Sequence, residues 1–134
     1  MAGTEAARFD AVVRRFDGGG GVGPLDLAVP RGRTVALIGP SGCGKTTVLR
    51  LLNGLAQPDA GTVHVLGEAL TPARLRSVRH RMGYVIQDGG LFPHLSARDN
   101  VALLSRHLGK PAAEVDARIT TLAALARLPG ALLD

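Results

Sequence analysis

The sequence predicts an α/β fold, and three observations carry that expectation. Arg33–Ile38, "RTVALI", is apolar along almost its whole length, the pattern of a strand buried on both faces of a parallel sheet. The glycine-rich stretch "GPSGCGKT", Gly39–Thr46, follows it directly. From Gly44 to about Ala56, the residues Val48, Leu49, Leu52 and Leu55 share one helical face. Strand, loop and helix in that order make a phosphate-binding α/β unit.

The bulk properties agree with one folded unit. The 134 residues suffice for a single domain with a core, and 46% of them are hydrophobic against 20% charged. No apolar run approaches the roughly 18 to 20 residues of a membrane span, and the N-terminus carries no signal-peptide pattern. One cysteine, Cys43, excludes an internal disulfide and fits a reducing compartment. The net charge of +5 comes mostly from arginine and suits either a solvated basic surface or attraction to phosphates. Nucleic acid is not an expected partner. One tyrosine, three phenylalanines and no tryptophan leave few platforms on which bases could stack.

Taken in order, Arg8–Phe16 reads as a strand, rich in β-branched and apolar residues. The run "DGGGGVGP" is a hairpin connection, since no helix start follows it. "LDLAV" is a second strand stopped by Pro30, and "RTVALI" a third. After the helix, Pro58 and Gly61 punctuate the chain and "TVHVLG" alternates as a short strand. Thr71 before Pro72 is an expected N-cap for a short helix toward His80. "MGYVI" is another compact strand. Ser96 with Asp99 forms an expected capping box for a helix to about Leu108. Gly109 and Pro111 separate it from a last helix with Val115, Ile119, Leu122 and Leu125 or Ala126 on one face, ended by Pro129-Gly130.

Gly39–Thr46 fits G-x-x-x-x-G-K-[ST], with a strand before it and a helix after it. The glycines permit backbone geometry and close approach that a side chain would block. The amides of Gly42, Gly44, Lys45 and Thr46 can then face phosphates at the positive end of the helix. Lys45 reaches the β- and γ-phosphates as a point charge, and the Thr46 hydroxyl ligates Mg²⁺. The expectation is a nucleoside triphosphate site. Cys43, within the loop and with no histidine near it in sequence, reads as a small space-filling residue rather than a catalytic thiol. His94 has no second ligand at metal spacing and carries no metal expectation.

Two longer stretches, "IGPSGCGKTTVLRLLNGLAQPDAGTVHVLG" and "RHRMGYVIQDGGLFPHLSARDNVALL", resemble the ATP-binding subunit of ABC transporters. The likeness runs from about Val12 to the last residue, and its form is closest to importers of glycine betaine, choline and related osmoprotectants. Importers of polar amino acids look similar. The resemblance implies an α/β P-loop NTPase with a RecA-like core, a small antiparallel β subdomain and the start of a helical subdomain, truncated. It divides the chain into a β subdomain and P-loop core over 1–90 and the start of the helical subdomain over 91–134.

The resemblance also implies roles. Phe16 takes the aromatic position that stacks on adenine, where a strand-end core phenylalanine is the plainer reading. Gln87 takes the glutamine that contacts Mg²⁺ and the attacking water. The implied ATP-binding set is Phe16 with Gly39, Pro40, Ser41, Gly42, Cys43, Gly44, Lys45, Thr46 and Thr47. Lys45 and Gln87 would act in catalysis, and Thr46 and Gln87 would hold Mg²⁺. "GGLFPHLS" would dock a transmembrane permease subunit, with a second ATP-binding subunit completing a dimer and a substrate-binding protein engaged indirectly. The implied location is the cytoplasmic face of a bacterial inner membrane.

The family's later motifs do not occur within these residues. Neither the LSGGQ-like signature, nor an apolar strand ending in Asp-Glu, nor the switch histidine is found. "YVIQD" ending in Asp88 and "ALLD" ending in Asp134 are poor substitutes for the acidic strand, because glutamine interrupts the first and Pro129-Gly130 precedes the second. The 134 residues alone are expected to hold ATP without hydrolysing it and to fold poorly by themselves. Two rivals remain. A guanylate-kinase-type enzyme also uses a GPSGxGK loop but places it at the start of the chain, whereas here residues 1–38 precede it. A stand-alone nucleotide-binding module without hydrolysis is the other.

Overall fold

The computed structural model describes residues 4–87 and 89–133. They form two compact units, divided between Tyr84 and Val85 and each described by itself. The first contains β1 (Glu5–Arg15), β2 (Gly21–Pro30), α1 (Lys45–Leu52), β3 (Ala60–Val65), β4 (Glu68–Ala69) and α2 (Leu75–Arg79). The second contains α3 (Ala97–His107) and α4 (Ala112–Leu125).

The four strands make one sheet in the order β2-β1-β3-β4, antiparallel throughout. The glycine run turns β1 into β2 as the sequence predicts: Gly19 N–H donates to the Phe16 carbonyl (3.0 Å) and Phe16 N–H to the Gly20 carbonyl (3.3 Å). Phe9 pairs with Leu27 on one side and Val63 on the other. Along β1 the buried positions run Ala7, Phe9, Val12 rather than strictly every second residue. The phase changes at Ala11, whose φ of 47° and flanking register shifts mark a bulge. Its amide is not lost, since Ala11 N–H donates to Asp26 Oδ1 at 2.7 Å.

One face of the sheet and α1 share the core of the first unit: Phe9, Val12, Val63 and Val65 against Val48 and Leu51. The expected inward face of α1 is corrected here. Val48 is buried as predicted, but Leu51 is fully buried, while Leu49 and Leu55 are 44% and 59% exposed. The helix ends at Leu52, so Leu55 lies past its last turn and leaves the stripe.

A second correction concerns the two apolar runs. Neither 33–38 nor 82–86 is a strand, and among the described residues no strand pairs with them. A parallel strand exists only through its neighbours' hydrogen bonds, and the described sheet offers none in that direction. Their side chains are accordingly open, with Ile38 93% and Val85 94% exposed.

In the second unit, Ser96 caps α3 through its hydroxyl, which accepts from Asp99 N–H at 3.1 Å. The reciprocal half of the capping box differs from expectation, because the Asp99 carboxylate takes the Ser96 hydroxyl proton and the Arg106 guanidinium instead. Ala102 of α3 packs with Val115 and Ile119 of α4 and with Leu133. Leu122 is half-buried and Leu125 is exposed, so only part of the expected α4 face is used. Thr71 precedes a 3-10 turn, 72–74, without a side-chain cap, and that turn leads into α2.

Candidate nucleotide-phosphate site

The loop Gly39–Gly44 runs directly into α1, and its geometry is set by what its glycines lack. Gly44, the residue before the helix, has φ 99°, and a Cβ there would lie 2.5 Å from Val22 Cγ2 of β2. Gly42 has φ 80° with nothing near the place a Cβ would occupy. At Gly39 a Cβ would meet Cys43 Sγ at 2.6 Å. The chain therefore folds tightly on itself and on β2, in a form that side chains at these positions would not permit.

The first hydrogen bond of α1 is Val48 N–H to the Gly44 carbonyl (2.9 Å), so the amides of Lys45, Thr46 and Thr47 precede the helical ladder. No side chain among the described residues caps this end, and its first turn carries no acid. Donors and the positive helix end are left for an anion. The Lys45 ammonium lies across the same loop, donating to the Gly39 and Pro40 carbonyls at 2.8 and 2.7 Å, with Cys43 Sγ 3.6 Å away. These carbonyls hold a cation at the rim of the loop, where an incoming phosphate can compete for it. Thr46, Pro40, Ser41 and Cys43 are exposed, and Thr47 is half-buried.

Phe16 lies in the same unit, at the tip of the β1–β2 hairpin. The residue is 47% exposed, outside the buried core. The strand leaving its turn passes Gly44 at Val22, which couples the hairpin to the loop. The Arg14 guanidinium lies over the Phe16 ring, 5.6 Å from the centroid. Arg14 is itself held by Asp59, whose Oδ1 accepts from Arg14 at 2.8 Å while Oδ2 accepts from Arg15 N–H at 2.6 Å. The Arg15 amide, and then the Arg14 charge and hydrogen bond, outweigh burial and hold the Asp59 carboxyl below the usual carboxylate range. Sequence reasoning missed Arg14 and Asp59, because their contact joins positions 45 apart and matches no motif.

Gln87 belongs to the second unit, where it is exposed. Asp88 and Asp134, the poor candidates for an acidic strand end, lie outside the described residues. His94 meets Phe92 edge-on at 5.9 Å between ring centroids. The segment before α3 has an organiser that the sequence did not announce: Asn100 accepts from Phe92 N–H (2.7 Å) and donates to the Phe92, Leu95 and Ser96 carbonyls (3.1, 3.1 and 3.0 Å). It fixes "FPHLS" while Leu91 and Phe92 stay 73% and 48% exposed.

A glycine-tight loop opening a helix, a lysine folded over it and an exposed aromatic in the same unit define a nucleotide-binding α/β protein. The comparisons with known proteins carry this to a family. Residues 22–132 match the model of the ABC transporter family, and the chain belongs to it. It is 41% identical over 120 residues to the "Fe(3+) ions import ATP-binding protein FbpC 1" of Pectobacterium atrosepticum, covering 89% of this chain and 33% of that protein. The corresponding protein of Escherichia coli is 41% identical, with 89% and 34% covered. FbpC 3 of Rhodococcus jostii is 45% identical over 115 residues, with 81% and 32% covered. The chain thus spans about a third of the length of the curated relatives it matches. Among solved structures, cbiO1 from Clostridium perfringens, part of the ABC transporter complex cbiONQ, superposes with a TM-score of 0.86 at 20% identity, over 98% of this chain and 54% of that one. The expected P-loop NTPase fold class is borne out. The osmoprotectant sub-family is not supported by these relatives, which are named for ferric-ion import.

Proposed function

We propose that this chain is the nucleotide-binding part of the ATP-binding subunit of an ABC importer, and that the whole subunit hydrolyses ATP to drive transport. The loop Gly39–Thr46 carries the reading: uncapped helix amides, glycines at 39 and 44 whose Cβ positions would collide and a folded-over lysine make a cradle suited to the charge of a triphosphate. The residues fit ATP and its Mg²⁺. The Thr46 hydroxyl at the helix start would hold the metal, whose charge offsets that of the phosphates, and the likeness to the ABC family gives Gln87 a part in hydrolysis. Lys45 would leave the Gly39 and Pro40 carbonyls for the β- and γ-phosphates. Gly39, Pro40, Ser41, Gly42, Cys43, Gly44 and Thr47 would line the phosphates, and Phe16 would take the adenine.

Residues 1–90 then serve as β subdomain and P-loop core, and 91–134 as the start of the helical subdomain. The exposed Leu91 and Phe92, the latter fixed by Asn100, are the surface offered to a permease subunit. A second copy of the ATP-binding subunit completes the assembly, with a substrate-binding protein engaged through the permease. The protein sits peripherally at the cytoplasmic face of the membrane, and no helix among the described residues is long and apolar enough to cross it. The names of the relatives favour ferric ions as the cargo over glycine betaine, choline or a polar amino acid.

The test is Lys45→Ala in the whole subunit, assayed with its permease. Nearly all ATP turnover should be lost and ATP binding weakened, because the lysine's charge acts on the transferred phosphate. Turnover within twofold of wild type would remove this loop from the mechanism.

A further inference from the structure

We propose that Arg14 is a positioning residue for nucleotide binding: anchored by Asp59, it covers one face of the Phe16 ring and holds the other ready for a base. The inference rests on the nucleotide reading above. Phe16 lies at a turn built on four glycines, Gly18 to Gly21, where a half-exposed ring has little packing to fix its orientation. The Arg14 guanidinium supplies that fixing contact, 5.6 Å from the centroid and over the face. Arg14 does not hold this place by itself.

Asp59 clamps it with one carboxylate oxygen and clamps the neighbouring backbone, Arg15 N–H, with the other. Asp59 is in turn fixed by its own N–H, which donates to the Val13 carbonyl at 2.8 Å. One carboxylate thus ties the loop before β3 to the last residues of β1, two positions from Phe16. The Arg14 Nε is buried without a hydrogen-bond partner among the described residues, so the guanidinium is placed for the ring and for Asp59 rather than for a full set of bonds. A cation over one face of an aromatic ring is attracted by the ring quadrupole. With that face occupied, a planar base would take the opposite one.

The experiment compares ATP with inorganic tripolyphosphate, which fills the phosphate cradle and has no base. Arg14→Ala in the whole subunit should weaken ATP binding roughly two- to fivefold, the size of an exposed cation–π contact, with tripolyphosphate affinity unchanged. Arg14→Lys should restore most of the ATP affinity, and Arg14→Met, which keeps the stem, should behave as the alanine variant. In a Phe16→Ala background, Arg14→Ala should have no further effect on ATP.

Equal weakening of both ligands would make Arg14 a general support of the hairpin and overturn the proposal. So would unchanged ATP affinity in the Arg14→Ala and Arg14→Met variants. An undiminished Arg14 effect in the Phe16→Ala background would overturn it too, by taking the ring out of the account. A wild-type protein that binds tripolyphosphate and ATP equally well leaves the phosphate cradle standing and removes the base platform. One that binds neither removes the nucleotide reading and this inference together.

Discussion

At Asp59 a single carboxylate ties two consecutive residues at the end of β1. It accepts from the Arg15 amide and from Arg14, and these hold its pKa below the ordinary carboxylate value of about 3.9. The sign follows from linkage. A carboxyl with a lowered folded-state pKa adds stability that is fully present above its unfolded value and is lost as pH falls through the folded one. The stability difference between wild type and Asp59→Asn should therefore be constant above about pH 5 and shrink below about pH 4. Hydrogen exchange of the β1 amides across that range is the measurement, and a difference that does not depend on pH would detach Asp59 from Arg14. At this scale the sequence was legible only where a motif carried the residue. Lys45 and Thr46 are placed by spacing alone, because six consecutive loop residues fix both the fold and the chemistry. Arg14, Asp59 and Asn100 act through contacts that tertiary folding creates, and no spacing rule announces them.

At the scale of elements, the start of α3 and the hairpin were readable because local chemistry decides them, whereas the Thr71 side chain makes no cap and α2 begins only at Leu75. Ser96 caps α3, and the glycine run turns β1 into β2. The bulge at Ala11 and the inward turn of Leu51 were not readable, since both are settled by the partner surface rather than by the segment. The junction of β2 with the phosphate loop is a point where two elements constrain each other. Gly44→Ala would place a methyl 2.5 Å from Val22 Cγ2 in a residue held at φ 99°. The backbone strain alone is about 1 to 3 kcal/mol, and the collision adds to it. Gly42→Ala carries only the strain, because nothing lies near its Cβ position. Gly44→Ala should thus weaken ATP binding more than Gly42→Ala, and adding Val22→Ala should recover part of the difference. Isothermal titration of the whole subunit would show it, and no rescue by Val22→Ala would mean that strain, not the strand contact, sets this glycine.

For the whole molecule, the fold class was legible while two of its strands were not realised, and one physical reason covers both. A motif such as G-x-x-x-x-G-K-T is local, but a parallel strand is a property of its neighbours. The segments 33–38 and 82–86 have the composition of strands, yet Val35, Ile38, Val85 and Ile86 are all 41% exposed or more. Among the described residues each compact unit keeps a small core, a cluster of six buried hydrophobic residues in the first and of four in the second. Much of the apolar surface thus lies outside any core, which favours association over a single packed state. The chain of these 134 residues should therefore bind a hydrophobic dye strongly and unfold over a broad temperature range rather than in a sharp step. It should also bind ATP without turning it over, since none of its residues matches the Asp-Glu strand end or the LSGGQ-like loop that the family uses in hydrolysis. Dye fluorescence, a thermal scan and a phosphate-release assay with Lys45→Ala as control are the three measurements. A sharp transition with weak dye binding and turnover that depends on Lys45 would show that the apolar segments find partners within this chain. It would then be an enzyme by itself.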